Sequence, residues 1–251
     1  MKTKALAALI LLIIFSLGII VLAVPEGPDS IQRGESQRAS LTVGGTTQEA
    51  EGGNVTSLDV SSQRITKRWQ GFTGNISGGI TLEDAAGNAL YDWGLANPSG
   101  EIYASNGTPV TWTRVFCVNF TADYLEEKYN LTALNRFIGL GMPSEEADDD
   151  SVNATFNQTY GTDGSYFSVG DITINNADNC SMATLYDNNG YQTQRFKEII
   201  LTDNTSIVFT SILEQDQTGF QGHSTDFQMI VGVNGTIQGT VRNYYFFVEL
   251  S

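Results

Sequence analysis

The sequence predicts a mainly β protein: one β-sandwich-like domain of about ten strands with a short helical insertion, preceded by a hydrophobic leader and an extended spacer. Three observations carry that expectation. From Trp69 onward, short runs rich in Val, Ile, Thr, Tyr and Phe recur between Gly, Asn and Asp clusters. Asn-Gly and Asp-rich tetrapeptides sit between these runs, where hairpin turns need left-handed backbone. Only one stretch in 251 residues has helical grammar.

The elements follow in order. Lys2 and Lys4 precede an apolar run from Ala5 to Val24, which Pro25-Glu26-Gly27-Pro28 ends. Val21-Leu22-Ala23 suits signal-peptide cleavage after Ala23, so residues 1–23 are read as a secretory signal. Two other readings stay open: a retained membrane anchor, since the run is just long enough to span a bilayer, and a pilin-type leader cut near Lys4-Ala5. All three place the remainder outside the cell. Residues 24–63 are rich in Gly, Ser, Thr, Gln and Glu and read as a flexible spacer. Within it, Arg38-Ala-Ser-Leu41-Thr-Val43 alternates polar and apolar, so residues 34–45 are a candidate strand for pairing with another subunit's edge.

Residues 64–251 form the predicted β domain. Ile76–Glu83 and Ala89–Leu95 flank Asp84-Ala-Ala-Gly-Asn88 as a hairpin. Glu101–Ala104 and Val110–Phe120 are predicted strands joined by a Ser-Asn-Gly-Thr-Pro turn. Tyr166–Ile174 and Met182–Tyr186 come next, and Lys197–Leu201 pairs with Ser206–Leu213 across Asp203-Asn204. Phe227–Val233 and Thr236–Val241 flank Asn234-Gly235. In Tyr244–Leu250 both faces are apolar, which predicts a central strand covered on both sides. Thr121–Gly141 is the helical stretch, with Thr121 as cap and acidic side chains in its first turns.

Composition restricts function. Without Lys2 and Lys4 the chain carries 11 basic against 28 acidic residues, a formal charge of −17. So acidic a surface repels nucleic acid and anionic lipid; membrane contact is expected only through the leader. Cys117 and Cys180 are expected to form one disulfide in an oxidising compartment. With the lone His223 they are too few for a transition-metal site, and no metal site is assigned. Glu145–Asp150 and Asp187-Asn-Asn-Gly190 offer hard oxygen ligands, a weak calcium pattern without EF-hand spacing.

Ten Asn-X-Ser/Thr sequons stand at Asn54, Asn75, Asn106, Asn119, Asn130, Asn153, Asn157, Asn179, Asn204 and Asn234, none with a central Pro. Composition alone gives about three or four. The excess predicts an N-glycosylated, secreted or cell-surface protein, with N-linked glycans as its covalent additions and no other cofactor. No nucleophile–base arrangement is legible, since His223 stands alone in a Gly- and Ser-rich loop. Glu83, Asp84, Glu101 and Glu198 are the carboxylates in or near strands, but two chosen from 28 do not make a glycosidase. Trp69, Trp93 and Trp112 are candidates for a sugar-stacking platform and, more simply, for core.

Several segments resemble an uncharacterised family of secreted archaeal cell-surface glycoproteins: Gly53-Asn-Val-Thr-Ser-Leu58, Trp69-Gln-Gly-Phe72, Gly74-Asn-Ile-Ser-Gly78, Tyr91-Asp-Trp93, Gly100-Glu-Ile-Tyr-Ala-Ser105 and Tyr244–Leu250. The resemblance implies an archaeal surface protein and carries over no functional residues. The expected function is a non-catalytic subunit whose copies assemble head to tail into a filament or coat. A membrane-tethered adhesin or carbohydrate-binding ectodomain is the alternative.

Overall fold

The computed structural model describes residues 24–39, 47–61, 65–66, 68–95, 98–118, 150–190, 194–233 and 242–250. The predicted helix, Thr236–Val241 and the Asn234-Gly235 turn lie outside them. The strands are β1 (Trp69–Gly74), β2 (Gly78–Glu83), β3 (Ala89–Leu95), β4 (Gly100–Ser105), β5 (Phe116–Cys117), β6 (Gln158–Thr159), β7 (Phe167–Val169) and β8 (Ile172–Ile174). They continue with β9 (Ser181–Thr184), β10 (Lys197–Thr202), β11 (Ile207–Ile212), β12 (Gln217–Thr218), β13 (Ser224–Thr225), β14 (Phe227–Gly232) and β15 (Tyr245–Leu250). One short helix, α1 (Val152–Thr155), is capped by the Ser151 hydroxyl accepting from Ala154 N.

The main sheet runs β15-β4-β11-β10-β9-β6, and β5 pairs with β10 beyond the end of β9. Every pairing is antiparallel. Alternation along these strands builds two apolar faces. Ile102, Ala104, Ile200, Phe209 and Val248 line the first, and Tyr103, Ile199, Leu201, Val208 and Phe247 the second. The β1–β14 pair covers the first face with Phe227, Met229 and Val231. Trp69 joins an aromatic cluster there with Phe156 and Phe209, its ring centroids 5.7 and 6.3 Å from theirs. The β7–β8 hairpin and Val110, Trp112 and Val115 cover the second face. The result is sandwich-like.

β14 joins the main sheet through side chains. Its edge away from β1 would leave backbone groups unpaired inside the protein, a costly arrangement. Ser211 Oγ donates to Gln228 O at 2.9 Å, Glu198 Oε2 accepts from Ile230 N at 3.0 Å, and Tyr244 OH donates to Gly232 O at 2.6 Å. Side chains from β11, β10 and the residue before β15 thus take up alternate groups along one edge.

Four expectations change. The strands number fifteen among the described residues, because several are two- or three-residue pairs. Among its described residues Val110–Phe120 is not one strand: Thr111 N donates to Asp203 Oδ2, Trp112–Arg114 forms a single 3-10 turn, and the strand pairing begins at Phe116–Cys117. Tyr166–Ile174 is a hairpin, since Gly170 at φ 55° reverses the chain between β7 and β8. The last strand also moves. Both its faces are covered, yet β15 lies at the end of the sheet path and not at its centre.

Candidate assembly surface

The outer edge of β15 is the first part of the candidate surface. Val248 exchanges both backbone hydrogen bonds with Glu26, at 3.0 and 2.8 Å. Alternation points the backbone groups of Phe246 and Leu250 to the same side. Among the described residues Glu26 alone pairs along this edge, with Pro25 buried beside it. The chain that follows keeps to itself: residues 31–39 and 47–61 are exposed throughout. Their side-chain hydrogen bonds are local, Gln37 to Glu35 and Asn54 to Glu51. Of the candidate assembly strand, Arg38 is exposed and outside any strand. Leu41 and Val43 lie outside the described residues.

The second part is the β2–β3 hairpin. Asp84 closes its tip, accepting from Asn88 Nδ2 at 2.8 Å and from the backbone N of Asn88 and Ala86 at 2.9 Å each. These bonds, the Asn88 side chain foremost, hold the Asp84 carboxyl below its ordinary value. Cross-strand register pairs Ile80 with Trp93 and Leu82 with Tyr91, so one face is apolar. Thr81 with Asp92 and Gly79 with Gly94 make the other face small or polar. The apolar face is uncovered: Ile80, Leu82, Tyr91 and Trp93 are 49 to 58 % exposed. Tyr91 and Trp93 lie 4.6 Å apart. Such a two-stranded ribbon is marginal by itself in water. Its base meets the β15 edge, for Leu250 packs so closely on Gly78 that a Cβ there would collide with it.

The other tryptophans are structural. Trp69 donates Nε1–H to Asp150 O at 2.8 Å, and Trp112 packs on Tyr103 and Phe247. Only Trp93 remains for stacking on a ligand.

The structure sorts the glycan acceptors. Asn54, Asn75 and Asn157 are exposed together with the hydroxyl residues Thr56, Ser77 and Thr159. Asn106 is half-buried, its Oδ1 accepting from Ile207 N at 2.9 Å. Asn179 and Asn204 are exposed at φ 51° and 75°, left-handed positions that Asn tolerates well. Their partners Ser181 and Ser206 are buried. Asn153 lies on α1. Asn119, Asn130 and Asn234 lie outside the described residues. The disulfide joins Cys117 to Cys180 across 63 residues, with Cα atoms 4.8 Å apart. It fastens β5 to the residue that leads into β9.

The remaining polar candidates do not converge. Asp150 accepts from Thr66 Oγ1 at 2.7 Å and pairs with Arg68 Nε at 3.4 Å; Glu145 to Asp149 lie outside the described residues. Asp187 caps its own turn, accepting from Asn189 N. His223 borders a cleft of about 290 Å³ with Asn75, Phe220 and Thr225. Among the described residues no three metal-binding side chains gather. Glu198 and Glu101 occupy opposite faces of the main sheet, so they do not form a pair.

Glu101 instead faces Glu249, directly opposite on β15, a partner that sequence reasoning missed. Burial, and then the Glu249 charge, push the Glu101 carboxyl up to about 8. Burial likewise raises Glu249. Tyr103 OH donates to Glu249 Oε2 at 3.1 Å and Gly170 N to Oε1 at 3.0 Å.

The chain matches no family model, no curated protein and no solved structure.

Proposed function

We propose that this chain is a non-catalytic structural glycoprotein of the cell surface, secreted and N-glycosylated, whose copies join head to tail by strand addition into a filament or coat. One observation carries the reading. The β15 edge already accepts a piece of this chain's own N-terminal segment, at Glu26, and the described residues 31–39 and 47–61 that follow it are exposed. About 40 residues can reach on the order of 130 Å when extended. The same contact can therefore form with β15 of a neighbouring copy, and an exchange that does not close on itself propagates. The expected donor grows from residues 34–45 to the whole stretch beginning at Val24. The resemblance to secreted archaeal surface proteins supports the same assignment.

Negative-stain microscopy of the chain beginning at Val24, compared with one lacking residues 25–45, tests the reading. Fibres are expected from the first only; identical fibres from both would end it.

A membrane-tethered adhesin or carbohydrate-binding ectodomain is the second reading, favoured by the exposed Tyr91–Trp93 pair. It predicts a monomer retained on a glycan array, with Trp93→Ala abolishing retention.

A further inference from the structure

We infer that Glu101 and Glu249 share one proton and thereby lock β15 onto β4, so that rising pH opens the lock and dismantles the edge used for assembly. The inference rests on the strand-addition reading for its consequence, but the lock itself belongs to the folded monomer.

The geometry is a like-charge pair built into a strand pairing. Because Val248 turns its backbone groups outward to Glu26, Glu249 turns its own inward to β4, where its partner is Glu101. Side chains directly opposite on antiparallel strands stand about 5 Å apart at Cβ. Both residues are buried, 7 and 6 % exposed. Two ionised carboxylates so placed repel, and neither retains enough water to screen the other. One proton between them removes the conflict.

Among the described residues no cation compensates the pair. Tyr103 on β4 and Gly170 at the β7–β8 turn donate to Glu249. Burial, and then Glu101 and Glu249, raise the Tyr103 phenol well above its ordinary value, so it stays a neutral donor. Tyr160, raised chiefly by burial and next by Glu101, lies between the pair and Lys197. Lys197 Nζ is engaged by Asp163 Oδ2 at 2.6 Å and lies 5.9 Å from the Tyr160 ring. Asp171, next to Gly170, is acidic and exposed, and Arg114 at the end of the 3-10 turn is exposed. Trp112 and Phe247 close the site with aromatic carbon.

The sign follows from linkage. With β15 docked, burial and the Glu249 charge raise Glu101 from its ordinary 4.5 to about 8; detaching β15 returns water to the carboxyl and moves it back toward the ordinary value. A group raised in the closed state favours closure fully at acid pH and loses that contribution as pH climbs from 4.5 to 8. The shared proton leaves to solvent, and two anions remain across one strand pairing. Each pH unit in that window weakens closure by up to about tenfold.

Hydrogen exchange of the monomeric chain tests the lock. The reporters are the Phe247 and Glu249 amides, which face β4, compared with Ile200 and Phe209 in the sheet interior, all corrected for intrinsic exchange rates. Protection of β15 relative to the interior is expected to fall by up to about a thousandfold from pH 5 to pH 8. In Glu101→Gln/Glu249→Gln it is expected to stay level. If the double variant does not fold, Glu249→Gln alone is expected to make the slope shallower: its amide carbonyl still accepts from Tyr103 and Gly170, burial still raises Glu101, and the Glu249 charge is gone. A level wild-type profile, or an unchanged slope in the variants, overturns the lock. Electron microscopy of the chain from Val24 at pH 5 and pH 9 tests the consequence. Fibres that persist only at the lower pH support both readings. Fibres indifferent to pH, with β15 protection falling as expected, leave the lock standing and remove β15 from the assembly.

Discussion

Replacing Glu198 by Gln should make stability fall less steeply as pH rises. Glu198 is wholly buried on the first face of the main sheet; Oε2 accepts from Ile230 N, and Oε1 meets no partner among the described residues. Burial drives its carboxyl well above the ordinary range, only partly offset by that hydrogen bond. The native protein therefore holds Glu198 protonated, while the unfolded chain ionises it near 4.5. Stability from this residue is complete below that value and falls by about 1.4 kcal/mol per pH unit above it. The loss continues as pH rises toward the raised folded value. Gln has the same shape, keeps an acceptor for Ile230 N and does not titrate. Its extra N–H is left unsatisfied, a cost of about 1–3 kcal/mol at every pH. Glu198→Gln should then be the weaker protein at pH 5, and the gap should narrow as pH rises to 7. Urea unfolding at pH 5, 6 and 7 with unchanged m values measures this. Glu101, Glu214 and Glu249 titrate in both proteins and cancel in the difference, provided they are uncoupled from Glu198. Two parallel curves would refute the reasoning, for Glu198 would then be ionised and paired inside the fold.

The other predictions concern packing, the cross-link and glycan occupancy. Phe209→Ala removes a ring that meets Trp69, Phe156 and Tyr244, and should cost about 3–5 kcal/mol by urea midpoint. Reducing the Cys117–Cys180 bridge opens a 63-residue closure and should lower unfolding free energy by about 4 kcal/mol, measured with and without reductant. Gly100→Ala, at φ 124° with its Cβ directed into the Glu249 carbonyl, should detach β15 and be read as lost exchange protection there. If transfer follows folding, glycopeptide mass spectrometry should find Asn54, Asn75 and Asn157 occupied and Asn179 and Asn204 empty, because Ser181 and Ser206 are buried.

What was legible in the sequence is what local chemistry decides. The β10–β11 hairpin follows from Asp203, whose Oδ1 takes Thr205 N and Ser206 N within the turn. The β2–β3 hairpin follows from Asp84 and Asn88 in the same way. The disulfide follows from having two cysteines. Sheet order is a different kind of fact. Apolar residues on both faces of Tyr244–Leu250 indicate cover above and below, and β15 has it; they say nothing of neighbours to left and right, which is why a strand read as central lies at an edge. Nor does composition distinguish Trp69 and Trp112, which pack inside, from Trp93, which does not. The deciding contacts, Trp69 with Asp150 and Trp112 with Phe247, join residues far apart in the sequence. Glu101 was visible as a strand carboxylate. Its significance depends on Glu249, and only the β4–β15 register brings the two together.

β15 is where the separate features meet. Its outer edge holds Glu26, its inner edge carries the Glu101–Glu249 pair, and Leu250 packs on Gly78 at the base of the apolar hairpin. A strand laid on Phe246 and Leu250 antiparallel to β15, in the register of Glu26, passes that base. An added strand would then gain backbone hydrogen bonds on β15 and side-chain burial on Ile80, Leu82 and Trp93, two contributions that neither surface provides alone. If the hairpin serves this purpose, Ile80→Asp/Trp93→Asp should leave the monomer's melting temperature within a few degrees, since those side chains touch little of the body, yet stop fibre growth. Fibres formed normally by that variant would assign the whole of assembly to the β15 backbone and leave the apolar hairpin to the carbohydrate reading.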